Sequence, residues 1–129
     1  MTIPQANLQM AWLWIVLGLV SGFLLGLHFH RDDWLGGYGS FKRRLYRLAH
    51  ISFFGLAILN LLFYVTVREL PRTGPNFGLA GWGFILGALT MPMACVVMAN
   101  YRQLRALFLI PVTCLFGGAT LTLLEVFKL

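Results

Sequence analysis

Four apolar runs, each long enough to cross a bilayer, dominate this chain at about residues 8–29, 41–67, 77–99 and 106–127. A hydrocarbon core about 30 Å thick takes about 20 apolar residues in a helix. Short separators rich in turn residues divide the runs: Gly36, Gly37 and Gly39 after the first, Pro71, Gly74 and Pro75 after the second, and a brief polar link from Asn100 to Arg105 after the third. Short links between long helices make antiparallel neighbours. The expected fold is all-α, a polytopic membrane protein whose single domain, 1–129, is a four-transmembrane-helix antiparallel bundle.

Composition supports lipid as the solvent. Charged residues make up 11% of the chain, against about 25% in soluble domains. The net charge of +6 does not point to nucleic acid, because the cations flank apolar segments instead of forming a basic face. Anionic lipid headgroups are their expected partner. The first residues, MTIPQANLQ, contain no Lys or Arg, so the first run reads as a retained helix and not a cleaved signal. Cys95 and Cys114 lie inside apolar runs, where a thiol is a small packing residue, and no disulfide is expected.

Cation placement sets the expected orientation. Seven of the ten Lys and Arg residues fall in the first and third links (Arg31, Lys42, Arg43, Arg44, Arg47, Arg102, Arg105), leaving Arg68, Arg72 and Lys128 on the other side. Cytoplasmic loops hold the excess of cations, so both termini are expected outside, in a bacterial inner membrane.

Local patterns refine this picture. Gly18, Gly22 and Gly26 recur every four residues, and His30 continues the row. Such a stripe lets another backbone approach closely. Gly83 and Gly87 repeat the device in the third run, and Gly117 and Gly118 mark the fourth. Trp12, Trp14 and Trp34 near the ends of the first run, with Tyr64 and Trp82, read as an interfacial aromatic belt. Ser40 is an expected N-cap. After it, Phe41, Leu45 and Leu48 share one face, while Lys42, Arg43, Arg44 and Arg47 occupy the others as a lipid-headgroup anchor. Asn60, deep in the second run, is expected to bond across helices. Pro92 removes one backbone bond from the third helix.

The stretch from Leu27 to Ser52 concentrates the polar chemistry, with all three histidines, His28, His30 and His50, and with Asp32 and Asp33. Antiparallel helices bring His28 and His50 to one depth, where Met91, Met93, Cys95 and Met98 of the third run also fall. Met91, Cys95 and Met98 share a helical face. Three ligand chemistries suit such a set. Haem b takes His/His or His/Met pairs. Soft sulfur with imidazole suits copper. A quinone headgroup suits a histidine with Asp32 or Asp33 and an aromatic ring. Against these stands a plain reading of interfacial histidines and methionine as adaptable packing. No Gly-rich phosphate loop, GxSxG, HExxH or CxxC is present, so no catalytic motif is assigned. Glu125, the one acid within the runs, is placed to pair with Lys128. No internal repeat supports a transporter.

The pattern resembles small four-helix bacterial membrane proteins, among which cytochrome b-like folds occur, although the deep paired histidines of those folds are missing here. The expected role is a small membrane subunit or accessory protein of a larger assembly, docking on other subunits or on a second copy. The rivals are an electron-transfer module holding haem b or a quinone through His28, His30, His50, Met91 or Met98, and a transporter or channel subunit.

Overall fold

The computed structural model describes residues 2–71 and 74–128. Arg72, counted above among the cations, lies outside the described residues. Within them the chain is all-helical and has no strand. Helix α1 spans Ile3–Gly26, α2 Phe41–Glu69, α3 Phe77–Asn100, and α4 Leu109–Val126, the last entered through a 3-10 segment, Arg102–Phe108. All four are long and apolar enough to cross a membrane. Helices satisfy their own backbone groups, so a chain of this kind can dispense with water.

Helix α1 starts five residues before the apolar run does. Thr2 caps it, its backbone N–H donating to Gln5 Oε1 at 2.9 Å, and Pro4 occupies a first-turn position where a missing N–H costs nothing. That start signal was legible in the sequence but stands outside the hydrophobic window. The helix also ends earlier than expected. Residues 27–30 turn by three-residue steps, with His28 N–H bonded to Leu25 O and Phe29 N–H to Gly26 O. His30 therefore does not extend the glycine row, which stops with the helix at Gly26.

The reversal into α2 depends on Gly36 and Gly37, at φ 86° and 98°, beside Leu35 at φ 55°. Glycine enters this left-handed region freely, and a leucine rarely does. Ser40 fastens the reversal to the helix it begins. Its hydroxyl donates to Leu35 O at 2.6 Å and accepts from Arg43 N at 3.1 Å. At the far end, Leu70 is extended (ψ 135°), as the ring of Pro71 requires of the residue before it. Helix α4 begins at Leu109, later than the apolar run. Pro111 sits in its first turn, where no i−4 bond is lost.

Helices α1, α2 and α3 pack on one another, and α4 packs on α3. The start of α1, the end of α2 and the start of α3 share one end, where Thr2, Ile3, Val67 and Phe77 meet around a cavity and Asn76 bonds to Glu125 near the end of α4. The basic stretch and the α3–α4 link share the other, where Arg102 lies 4.1 Å from the Phe41 ring centre.

Polarity is distributed inside out. Phe23, Phe116 and Leu79 are each at least two-thirds exposed, whereas Asn7 and Asn60 are fully buried. A water-soluble monomer rarely presents so continuous an apolar surface. Asn7 Nδ2 donates to Asn60 Oδ1 at 2.8 Å and to Gly81 O at 3.1 Å, and Asn60 Nδ2 donates to Leu56 O at 2.8 Å. This amide pair ties α1, α2 and α3 together above a core of Phe63, Val67, Phe77, Ala80 and Phe84.

Trp14 corrects the aromatic-belt reading. It is 6% exposed and donates from Nε1 to Ala88 O at 3.0 Å. Ala88 lies four residues before Pro92, so its carbonyl has lost the N–H that would close the helical bond. The indole supplies the missing donor from the neighbouring helix. A buried tryptophan normally needs such a partner. Trp12, by contrast, is 62% exposed and faces outward.

Candidate functional site

The polar residues of the basic end form two groups: a pair of imidazoles around a cavity and a buried guanidinium ringed by aromatics. His28 comes from the turn after α1 and His50 from the third turn of α2. Both line a cavity of about 280 Å³ with Ser21, Trp34, Tyr46 and Phe53.

Each imidazole is held through Nδ1. His50 Nδ1 lies 2.9 Å from Ser21 Oγ, whose own hydrogen goes to Gly18 O at 3.0 Å. With the hydroxyl hydrogen placed on Gly18 O, Ser21 accepts and His50 Nδ1 donates. His28 Nδ1 lies 2.9 Å from Leu24 O, and a carbonyl can only accept. In the neutral ring, His28 therefore carries hydrogen on Nδ1 and keeps a lone pair on Nε2, and His50 does the same in the tautomer that donates to Ser21. His28 also stacks on Trp34, with ring centres 4.9 Å apart and planes 18° from parallel.

The glycine stripe on α1 explains how His50 reaches this position. A Cβ on Gly22 would fall 2.7 Å from His50 Cε1, and a Cβ on Gly18 would fall 2.8 Å from Phe54 Cζ. These glycines seat side chains from α2 and do not admit its backbone, which differs from the expectation. Gly26 has nothing within 4 Å of where a Cβ would be. The closest backbone approach lies elsewhere, in the α3–α4 seam. There a Cβ on Gly83 would meet Cys114 O at 2.8 Å and Gly118 Cα at 3.2 Å. Gly87 is filled by the side chain of Leu115.

Arg43 also departs from its expected place. It is 4% exposed, and its guanidinium carbon lies 5.9, 5.6 and 5.4 Å from the ring centres of Phe29, Trp34 and Tyr38. Nη1 donates to Arg31 O at 3.4 Å, and Nε has no partner. Aromatic faces offset part of the cost of burying the charge. Arg47 lies over Tyr38 at 4.2 Å. Lys42, Arg44 and Arg47 keep solvent or headgroup access. Arg43 lies on the α2 stripe of Arg47 and His50, i, i+4 and i+7, which turns it towards the 29–38 link. Leu48, assigned to the apolar face, is 42% exposed.

The sulfur residues do not join the histidines. Met91 packs on the core around Trp14, Leu56 and Ala88. Cys95 is fully buried, and Met93 is 65% exposed. Met98 is half-buried and, like His30, does not line the histidine cavity. Among the described residues no three His, Cys, Asp or Glu side chains form a metal-sized group. The cysteines are free. At the opposite end, Glu125 accepts from Asn76 Nδ2 and pairs with Lys128 Nζ at 2.8 Å.

Ser21, Tyr46 and Asn7 were not singled out from the sequence. Ser21 stands one residue before Gly22, but only the fold shows that His50 of the next helix reaches it. Asn7 stands just before the first apolar run. No protein family, curated protein or solved structure matches the chain.

Proposed function

We propose that this protein is a small subunit of a larger bacterial inner-membrane assembly, with both termini outside, and that a helix of its partner lies along the cleft between α2 and α4. The observation that carries this reading is the cleft itself. Helix α4 packs on α3 and leaves about 260 Å³ open beside α2, lined by Leu59, Leu62, Thr66, Ala119, Thr122 and Leu123. Protein interiors are close-packed, and a groove between two helices of a membrane protein accepts a third helix or lipid. Gly55 shares the α2 stripe with Leu59, Leu62 and Thr66, and nothing lies within 4 Å of where its Cβ would be. Small residues at such a place let a helix come close.

The test is the size of the particle extracted in mild detergent. The chain is expected to migrate with a partner, and Gly55→Leu is expected to release it as a lone chain no less stable to heat than the wild type. A wild-type chain that runs alone in every mild extraction removes the subunit reading. Orientation has its own test. Gly39→Cys and Pro75→Cys should label from opposite sides, and labelling of the first by an impermeant thiol reagent in intact cells would reverse the topology.

A further inference from the structure

The histidine cavity is continuous with a larger apolar groove. Ala49, Phe53 and Val96 line both the cavity of about 280 Å³ and a groove of about 460 Å³ that runs between α1 and α3 past Trp14, Pro92 and Met93. One end is lined by two imidazoles, each held through Nδ1, and the rest is mostly hydrocarbon. That shape suits an amphiphile with a small ring that donates hydrogen bonds and a long apolar tail. We propose that this site binds the dihydroxylated ring of a lipid-soluble quinol, its hydroxyls donating to His28 and His50 and its tail lying along the α1–α3 groove.

The donor chemistry separates this ligand from its competitors. A lipid phosphate is itself an acceptor and gains nothing from an imidazole lone pair. The nearby cation that would attract it, Arg43, is turned to Phe29, Trp34 and Tyr38 and does not line the cavity. Two imidazoles without a third ligating side chain are a thin set for a structural metal. The cavity stands at the small end of ligand sites, which run from about 300 to 1,000 Å³. It has room for a single ring, with the groove beyond it for a tail. The Nδ1 bonds to Ser21 and Leu24 are the kind that hold a ring in one tautomer and aim its other nitrogen. The site needs no partner subunit, so the lone chain tests it independently of the assembly reading.

The experiment titrates the full chain in detergent with decylubiquinol and follows quenching of tryptophan fluorescence, Trp34 being part of the cavity wall. Saturable binding is expected. The dimethyl ether of the same compound, which cannot donate, is expected to bind about tenfold more weakly or worse, the loss of one well-made hydrogen bond. His28→Leu, at a half-exposed turn outside the helices, is expected to weaken binding by a similar factor with helix content unchanged. His50→Leu should do the same but also removes a packing contact on Gly22, so the ether comparison on the wild-type chain is the arm independent of folding. Non-saturable partitioning, equal affinity for quinol and ether, or unaltered binding in His28→Leu overturns the proposal.

Discussion

Two seams of this molecule use the same residue, glycine on a membrane helix, to opposite ends. Between α3 and α4, Gly83 faces Cys114 O and Gly118 Cα, and Gly118 in turn faces Ala80 O. At these two positions backbone lies on backbone and no side chain can swing aside, whereas Gly87 of the same seam meets the side chain of Leu115. Between α1 and α2, Gly18 and Gly22 face the rings of Phe54 and His50. There the glycines are recesses for side chains, and polar bonds finish the contact: Ser21 with His50, and Asn7 with Asn60. The first seam trades everything for proximity, gaining dispersion over the closest surfaces a helix offers. The second gives up proximity to place two polar side chains at chosen points in an apolar interior. A four-residue glycine spacing thus says that something comes close, without saying whether it is a helix or a ring.

Substitution at Gly83 should separate the seams most sharply. Gly83→Ala puts a methyl group against atoms of the α4 backbone that no rotamer change relieves. Helix α4 must move outward as a body. Overpacking of this kind costs about 1–3 kcal/mol, and the upper part of that range is expected here because α4 has no other large contact. Thermal unfolding in detergent checks it. A change as small as that at Gly22 would mean that α4 is free to ride outward and that the seam is looser than its distances indicate.

How much of this was readable beforehand follows the same division. The four spans, the turn at Gly36 and Gly37 and the cap at Ser40 were legible because each rests on a local property: hydropathy over one window, backbone freedom at one residue, one hydroxyl beside one N–H. The site was legible only in part. His28 and His50 were placed at one depth by antiparallel arithmetic, and the structure does put them on one cavity. The methionines were placed at the same depth by the same arithmetic, yet depth fixes only one coordinate. Met91 and Cys95 turn toward the core of α3 and away from the histidines. Which way a side chain faces depends on the neighbours of its helix, and a single strand of text does not record them. Trp14 shows the converse. Its role could have been read from two facts, that Pro92 orphans the carbonyl of Ala88 and that a buried indole needs an acceptor, but only the packing of α1 against α3 joins them.

Gly22→Ala should fall between the extremes. The new methyl would press on His50 Cε1, and the imidazole, unlike a backbone, can rotate away. Doing so breaks its bond with Ser21, so about 1 kcal/mol is expected to be lost, the net worth of an ordinary hydrogen bond. The imidazole ¹⁵N resonances of His50 should shift as Nδ1 loses its acceptor, and those of His28 should stay in place. If His50 keeps its signature and the loss of stability matches that of Gly83→Ala, helix α2 has moved as a unit, and the two seams are of one kind after all.

The smallest effect, with the opposite sign, is expected at Gly55. It sits in the middle of α2, faces outward, and has open space where a Cβ would stand. Gly55→Ala therefore removes the conformational penalty of a mid-helix glycine without meeting any atom of the chain. Alanine is favoured there by about 0.5–1 kcal/mol, so the isolated protein should unfold at a slightly higher temperature. The informative measurement sets that gain beside the behaviour of the chain in its membrane. A glycine kept on an open face where alanine would be more stable has its reason outside the chain. If a partner helix lies in the α2–α4 cleft, the methyl stabilises the lone chain and weakens the assembly in the same variant. If both the isolated chain and the extracted particle gain, Gly55 faces lipid and no partner helix lies in the cleft.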